Sequence, residues 1–179
     1  IQVKLPTIES NTPKIEQFIW KDHALEAALT LATEHENFCI TGHPGSGKTT
    51  LVASICEHLK SKGERYICLA KTHVACSLLN GITLNSFLFK HILTGSYRGW
   101  IIVDEFSLID AQMWFYLYRL IDYCNFVFVG QWAQLPPCGG HHFLDTVLPE
   151  DCIENSLMFH RFCGGNRIVL TECKRCNAT

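Results

Sequence analysis

Apolar residues recur along this chain in two alternating rhythms. From Pro13 to about His35 they come at helical spacing, at Ile15, Phe18, Ile19, Leu25, Ala28, Leu29 and Leu31. Thr12 ahead of Pro13 adds a capping residue and a first-turn proline, so the spacing predicts a helix there after an irregular lead-in. Phe38–Thr41 is then a short apolar run closed by Gly42, which predicts a buried strand, and a second helix follows from about Gly47 to Leu59. The alternation continues with strands predicted at Tyr66–Ala70, Trp100–Val103, Phe126–Val129 and Arg167–Leu170. Helices are predicted at His73–Leu79 and Ala111–Ile121. Strands that are apolar at every position are buried on both faces, and helices between them supply the cover. The predicted fold class is α/β, a mostly parallel sheet with helices on both faces. Residues 1–35 are expected to form a lead-in and a helix packed on a domain of residues 36–179. In such sheets ligands bind at the carboxyl ends of the strands, and each motif below begins where a predicted strand stops.

Composition removes several classes of function. Of 179 residues, 47% are hydrophobic and 18% are charged, so global disorder is excluded and the chain is long enough to bury a core. A net charge of −2 excludes a polycation-like binder but leaves room for a local nucleic-acid groove. No apolar run is long enough to span a membrane, and no charged leader precedes an apolar stretch. The first residue is Ile1 rather than Met, which is expected of a piece of something longer. Ten cysteines lie in apolar stretches as well as in loops. Most read as buried thiols of an intracellular, reducing compartment, cytoplasm or nucleus.

Gly42-His43-Pro44-Gly45-Ser46-Gly47-Lys48-Thr49 matches Gly-x4-Gly-Lys-[Ser/Thr] in full, with Thr50 following. Glycines there let backbone N–H groups turn toward phosphates, and the helix behind points its positive end at them. Lys48 is expected to reach the β- and γ-phosphates of ATP, and the Thr49 hydroxyl to hold Mg²⁺. Ile101-Ile102-Val103-Asp104-Glu105 delivers two carboxylates to a strand end. Alone, acidic residues after a strand are commonplace. Downstream of a phosphate loop they complete a site in which Asp104 binds Mg²⁺ through water and Glu105 polarises the attacking water. Gly130-Gln131-Trp132-Ala133-Gln134-Leu135-Pro136-Pro137 follows the next strand. It reads either as a Pro-closed loop or as a loop presenting Gln134 to the γ-phosphate or its attacking water.

Together the phosphate loop, Asp104-Glu105-Phe106-Ser107-Leu108-Ile109-Asp110 and Gln134-Leu135-Pro136-Pro137 resemble superfamily 1 helicases. The branch they are most similar to is the RecD-like and Pif-like one, including its relatives in large DNA viruses. The resemblance implies a RecA-like P-loop NTPase fold and coupling of Mg·ATP hydrolysis to 5′-to-3′ movement on single-stranded DNA, with RNA as an alternative strand, in replication or repair. It covers roughly residues 20–176. It places Thr72 and His73, after the second predicted strand, and Thr83 and Asn85, in Gly81-Ile82-Thr83-Leu84-Asn85-Ser86-Phe87, against the nucleic acid. It also makes Arg175, in Leu170-Thr171-Glu172-Cys173-Lys174-Arg175, an arginine that reaches the γ-phosphate across a domain cleft. That cleft needs a second RecA-like domain, in the same polypeptide or in a partner subunit, and this chain then reads as the first motor domain of the pair. No membrane partner is expected.

The sequence departs from the family pattern in two places. Gln131 stands where the family has Asp, and His23 stands where it has a Gln that reads adenine. His23 is expected to be a helix-surface histidine. Trp132 and Phe87 are aromatic candidates for stacking bases, while Trp114, Phe115, Tyr116 and Tyr118 fall on one predicted helix and read as core or domain-interface residues. His160, Cys163, Cys173 and Cys176 have the spacing of a zinc ribbon. The competing reading is unlinked thiols at a domain edge. A nucleotide-gated binding module without catalysis, acting through a partner, is the rival functional class. A P-loop kinase would need an acceptor-binding lid that the sequence does not show.

Overall fold

The computed structural model describes residues 19–70, 81–92, 97–131 and 156–172. Among these residues seven strands form one sheet: β1 (Lys21–His23), β2 (Phe38–Gly42), β3 (Tyr66–Ala70), β4 (Ile82–Thr83), β5 (Gly99–Asp104), β6 (Cys124–Gly130) and β7 (Asn166–Leu170). Their order is β1-β7-β2-β6-β5-β3-β4, and every pairing is parallel. The helices are α1 (Ala27–Thr33), α2 (Lys48–Ser61), α3 (Leu84–Phe87), α4 (Ala111–Tyr118) and α5 (Leu157–Phe162). A π turn, Leu88–Ile92, continues α3.

The strands split their side chains between two cores, as period-two geometry requires. Phe38 and Ile40 of β2, Trp100 and Ile102 of β5, and Val127 and Val129 of β6 face α1 and α2, where they meet Ala28, Leu31, Val52, Ile55 and Leu59. Cys39, Ile101, Val103, Phe126 and Phe128 face the other way, toward Phe87, Trp114, Leu117, Phe159 and Phe162. This second core is aromatic. The Phe128 ring lies 5.2 Å from Trp114, 5.6 Å from Phe159 and 5.1 Å from Phe162, centroid to centroid. The Trp114 pair is stacked and the other two are edge-on, and such pairs add specific geometry to the area they bury.

The five apolar runs are strands within two residues of their predicted ends. The helix predicted from Pro13 to His35 is not continuous over its described part. Lys21–His23 is an edge strand, and α1 starts only at Ala27. The reason is a set of partners on β7. Lys21 N–H donates to Gly165 O at 2.9 Å. The Arg167 guanidinium forks onto Asp22, from Nε to Oδ1 at 2.7 Å and from the other side of the fork to Oδ2 at 3.2 Å, and holds that carboxyl below its ordinary range. His23 is therefore a strand residue and not a helix-surface one. The Asn166 amide donates to Asn37 O at 3.0 Å, which leaves its Oδ1 to accept from His23 Nε2 at 3.0 Å. The predicted helix at His73–Leu79 lies outside the described residues.

Candidate nucleotide site

Three neighbouring strand ends, those of β2, β6 and β5, meet at one edge of the sheet. At the first, Gly42 pairs with Leu170 of β7 so closely that a Cβ on residue 42 would lie 2.6 Å from the Leu170 carbonyl oxygen. Only glycine fits there without parting the two strands. We expect Gly42→Ala to cost about 1–3 kcal/mol of stability, read as a lowered Tm together with weakened nucleotide binding. The loop then turns, with Ser46 N–H donating to His43 O at 3.1 Å. Gly47 ends it at φ +94°, ψ +14°, a left-handed conformation that glycine adopts freely.

Gly47 caps α2 without a side chain, and the first turn of α2 carries no acidic residue. The N–H groups that open a helix have no intrahelical acceptor, and the helix dipole adds positive potential, so this end suits an anion. Ser46 is 3% exposed, and among the described residues its Oγ has no hydrogen-bond partner. A phosphate oxygen would satisfy it. The Lys48 ammonium is parked on the loop itself, donating to Gly42 O at 2.6 Å and His43 O at 3.0 Å. Burial lowers its pKa, while Glu105 and Asp104 act in the opposite direction. Thr49 and Thr50 are exposed at the head of α2.

At the end of β5, Glu105 sits at φ +55°, ψ +47°, a left-handed position that costs a non-glycine residue on the order of 1–2 kcal/mol. The turn lets Glu105 N–H donate to Asp104 Oδ1 at 3.0 Å. Burial raises the pKa of both carboxyls. The backbone donor, then Lys48, offset this for Asp104. For Glu105 the Asp104 charge raises it further and Lys48 offsets. Two crowded carboxylates of this kind gain from a nearby cation. Carboxylate and hydroxyl oxygens, such as those of Asp104 and exposed Thr49, are the donor types that Mg²⁺ takes.

At the end of β6, Gln131 Nε2 approaches His43 Nδ1 at 3.3 Å and ties the third strand end to the phosphate loop. Beside α2 a cleft of about 450 Å³ opens between Leu25, Glu26, Thr50, Leu51, Val169 and Glu172. It adjoins the loop through Ser46 and Gly47 and has room for the nucleoside of a bound nucleotide.

The structure thus brings the whole Gly42–Thr50 segment, Asp104 and Glu105 together. Thr72, His73, Trp132, Gln134 and Arg175 lie outside the described residues. Thr83 is used within the fold: its hydroxyl accepts from Ser86 N–H at 3.3 Å and caps α3, while Asn85 is exposed on that helix. Phe87 does not offer a stacking face. It is fully buried, edge-on to Tyr97 at 5.3 Å, because the apolar face of α3 closes the second core. Within the second predicted cluster, Cys163 is in the core against Cys39. His160 packs tilted against Trp20, ring centroids 5.0 Å apart, with its Nε2 near Ile19 O at 3.2 Å, and Cys173 and Cys176 lie outside the described residues. Among the described residues no group of three or more His, Cys, Asp or Glu side chains is poised to hold a metal. The links from His43 to Gln131 and from His23 to Asn166 join residues far apart in sequence, and no local pattern announces them.

A family of sequences described as the AAA domain matches residues 25–140. The chain belongs to this family. No curated protein sequence matches it. Among solved structures, the Pif1 helicase from Candida albicans is similar with a TM-score of 0.66 and 22% identity, over 84% of this chain and 40% of that one. Bacteroides Pif1 bound to single-stranded DNA gives a TM-score of 0.61 at 22% identity, over 84% and 42%. Bacteroides Pif1 in complex with ADP-AlF4 gives 0.60 at 22%, over 84% and 42%. The fold of this AAA domain is therefore the RecA-like P-loop NTPase fold that these Pif1 structures share. The chain spans about two fifths of the length of these helicases.

Proposed function

We propose that this domain binds and hydrolyses Mg·ATP as the first motor domain of a single-stranded DNA helicase. The observation that carries the reading is that Lys48, at the head of α2, and Asp104 and Glu105, at the end of β5, act on one another's charge. The solved relatives in complex with ADP-AlF4 and with single-stranded DNA support the choice of ligands.

In the proposed mechanism, Ser46 Oγ and the α2 N-terminus take the phosphates. Lys48 leaves the carbonyls of Gly42 and His43 for the phosphate oxygens, a short move because the side chain already lies over the loop. Thr49 and Asp104 would hold magnesium, which when bound neutralises phosphate charge. Glu105, kept above its ordinary pKa by burial and by Asp104, accepts a proton from the attacking water. Gln134 would orient that water, and Arg175 would reach the γ-phosphate once a second motor domain closes the cleft. Thr72, His73 and Asn85 would contact the strand. Thr83, whose hydroxyl caps α3, would act there by holding Asn85 in place. Movement in the 5′-to-3′ direction belongs to the same proposal.

The test is ATP hydrolysis by the chain with and without single-stranded DNA, beside strand displacement. Slow hydrolysis, stimulated by DNA and strongly reduced by salt, is expected, without unwinding by this domain alone. Nucleotide binding with no turnover under any condition would instead identify a nucleotide-gated binding module. Robust unwinding by the isolated chain would overturn the requirement for a second motor domain.

A further inference from the structure

Outside the nucleotide site, one thiol pair among the described residues combines close approach with access. Cys56, in the third turn of α2, points at β3, and its Sγ lies 3.6 Å from the Sγ of Cys68. Cys56 is half-buried, while Cys68 is 4% exposed. We propose that Cys56 and Cys68 form an oxidation site, a dithiol that closes to a disulfide on exposure to peroxide or to a small disulfide such as oxidised glutathione.

The other described thiols show why this pair is singled out. Cys39 and Cys163 also meet, but both are fully buried in the aromatic core, where a hydrophilic oxidant has no path. Burial raises the Cys163 thiol far above its ordinary value. Cys124 is buried beside Tyr97, its thiol donating to the Tyr97 carbonyl, and burial pushes its pKa up to about 11. Cys56 moves in the other direction: the hydrogen bond from Cys68 lowers its pKa, against partial burial and the charge of Glu57. A lowered pKa and access both favour oxidation, and Cys56 combines them with a second thiol in contact.

The chemistry balances without further cofactors. With glutathione disulfide, the Cys56 thiolate attacks one sulfur and expels a glutathione thiolate. The Cys68 thiol, losing its proton, then displaces the second glutathione and forms the Cys56–Cys68 bond. With peroxide, Cys56 becomes a sulfenic acid as the O–O bond breaks, and Cys68 expels its hydroxyl as water. Two thiols and one peroxide give one disulfide and two waters. The sulfurs must close from 3.6 Å to about 2.05 Å. The bond would fasten α2, which carries Lys48 at its head, to β3, the strand beside β5 and its Asp104.

The experiment exposes the folded chain to oxidised glutathione at neutral pH, alkylates the remaining thiols and digests with trypsin. Cleavage after Lys48, Lys60, Arg65 and Lys71 separates the two cysteines, into Thr49–Lys60 and Tyr66–Lys71. The expected product is these two peptides joined, lighter than their sum by two hydrogens, lost on reduction and absent from Cys56→Ser. Cys39 and Cys163 should remain reduced and become alkylated only after unfolding. Cys68→Ala should trap glutathione on Cys56 as a stable mixed disulfide. The intact disulfide should raise Tm reversibly, since it closes a loop that the unfolded chain would otherwise leave open. A mixed disulfide that persists on Cys56 in the native sequence, with no joined peptides, would overturn the proposal. So would cross-linking that proceeds equally well in the unfolded chain, because the fold would then contribute nothing.

Discussion

Glu105→Gln is expected to reduce kcat for ATP hydrolysis by about 10²–10⁴-fold while leaving nucleotide affinity within about twofold. The substitution keeps the volume and the polar contacts of the side chain and removes only its basicity. The backbone argues that the position is functional. A left-handed φ of +55° at a non-glycine residue is held against its own preference, here between β5 and the turn Phe106–Leu108. Stability gives a second readout with a definite sign. The folded-state pKa of Glu105 is raised, by burial first and then by Asp104. A raised carboxyl contributes stability that is fully present below the ordinary carboxylate range and is lost as pH rises through its folded value. Glutamine cannot ionise and escapes that loss. The variant should therefore melt higher than the native sequence at neutral pH, with the difference vanishing in acid, as expected where function is held at the expense of stability. Parallel loss of affinity and turnover would make Glu105 a ligand of the metal or a structural residue, and would move the role of base to Asp104.

The parts of this molecule that sequence reveals are those whose physics is local. Phe38–Gly42, Tyr66–Ala70 and Cys124–Gly130 are legible because a strand covered on both faces must be apolar throughout. The phosphate loop is legible because its glycines answer local needs, a backbone approach at Gly42 and a left-handed turn at Gly47. β1 is not legible. Lys21-Asp22-His23 has no apolar period, and it is a strand only because β7 offers Asn166 and Arg167 as partners from the other end of the chain. Phe87 shows the converse error. An aromatic beside a motif suggested base stacking, but its direction is set by the face of α3 that meets Tyr97. Gln131 reads in the sequence as a missing carboxylate. In the fold it gains a role, as a link to His43 that has no sequence signature at all.

Lys48→Ala is expected to lower kcat/KM for ATP by on the order of 10²–10³-fold or more, since it removes a preplaced cation from the phosphates in a partly dehydrated cleft. The fold should be unaffected. Among the described residues the Lys48 ammonium donates to the carbonyls of Gly42 and His43, and the loop that carries them is held by the packing of Gly42 against Leu170 and by the bond from Ser46 to His43. Removing the side chain also relieves the cost of a cation whose pKa burial lowers. Tm should accordingly stay within a few degrees of the native value, which separates this variant from Gly42→Ala, where binding and stability fall together. Lys48→Arg is a sharper probe of the same point. It keeps the charge but replaces a compact ammonium with a planar fork that the close-packed loop cannot hold in the same place. If positive charge in the cleft were sufficient, Lys48→Arg would restore most of the activity. If the position of a point charge above the loop matters, as the short contact to Gly42 O indicates, it should remain nearly as impaired as Lys48→Ala. Near-native hydrolysis by folded Lys48→Ala protein would remove the phosphate loop from the mechanism altogether.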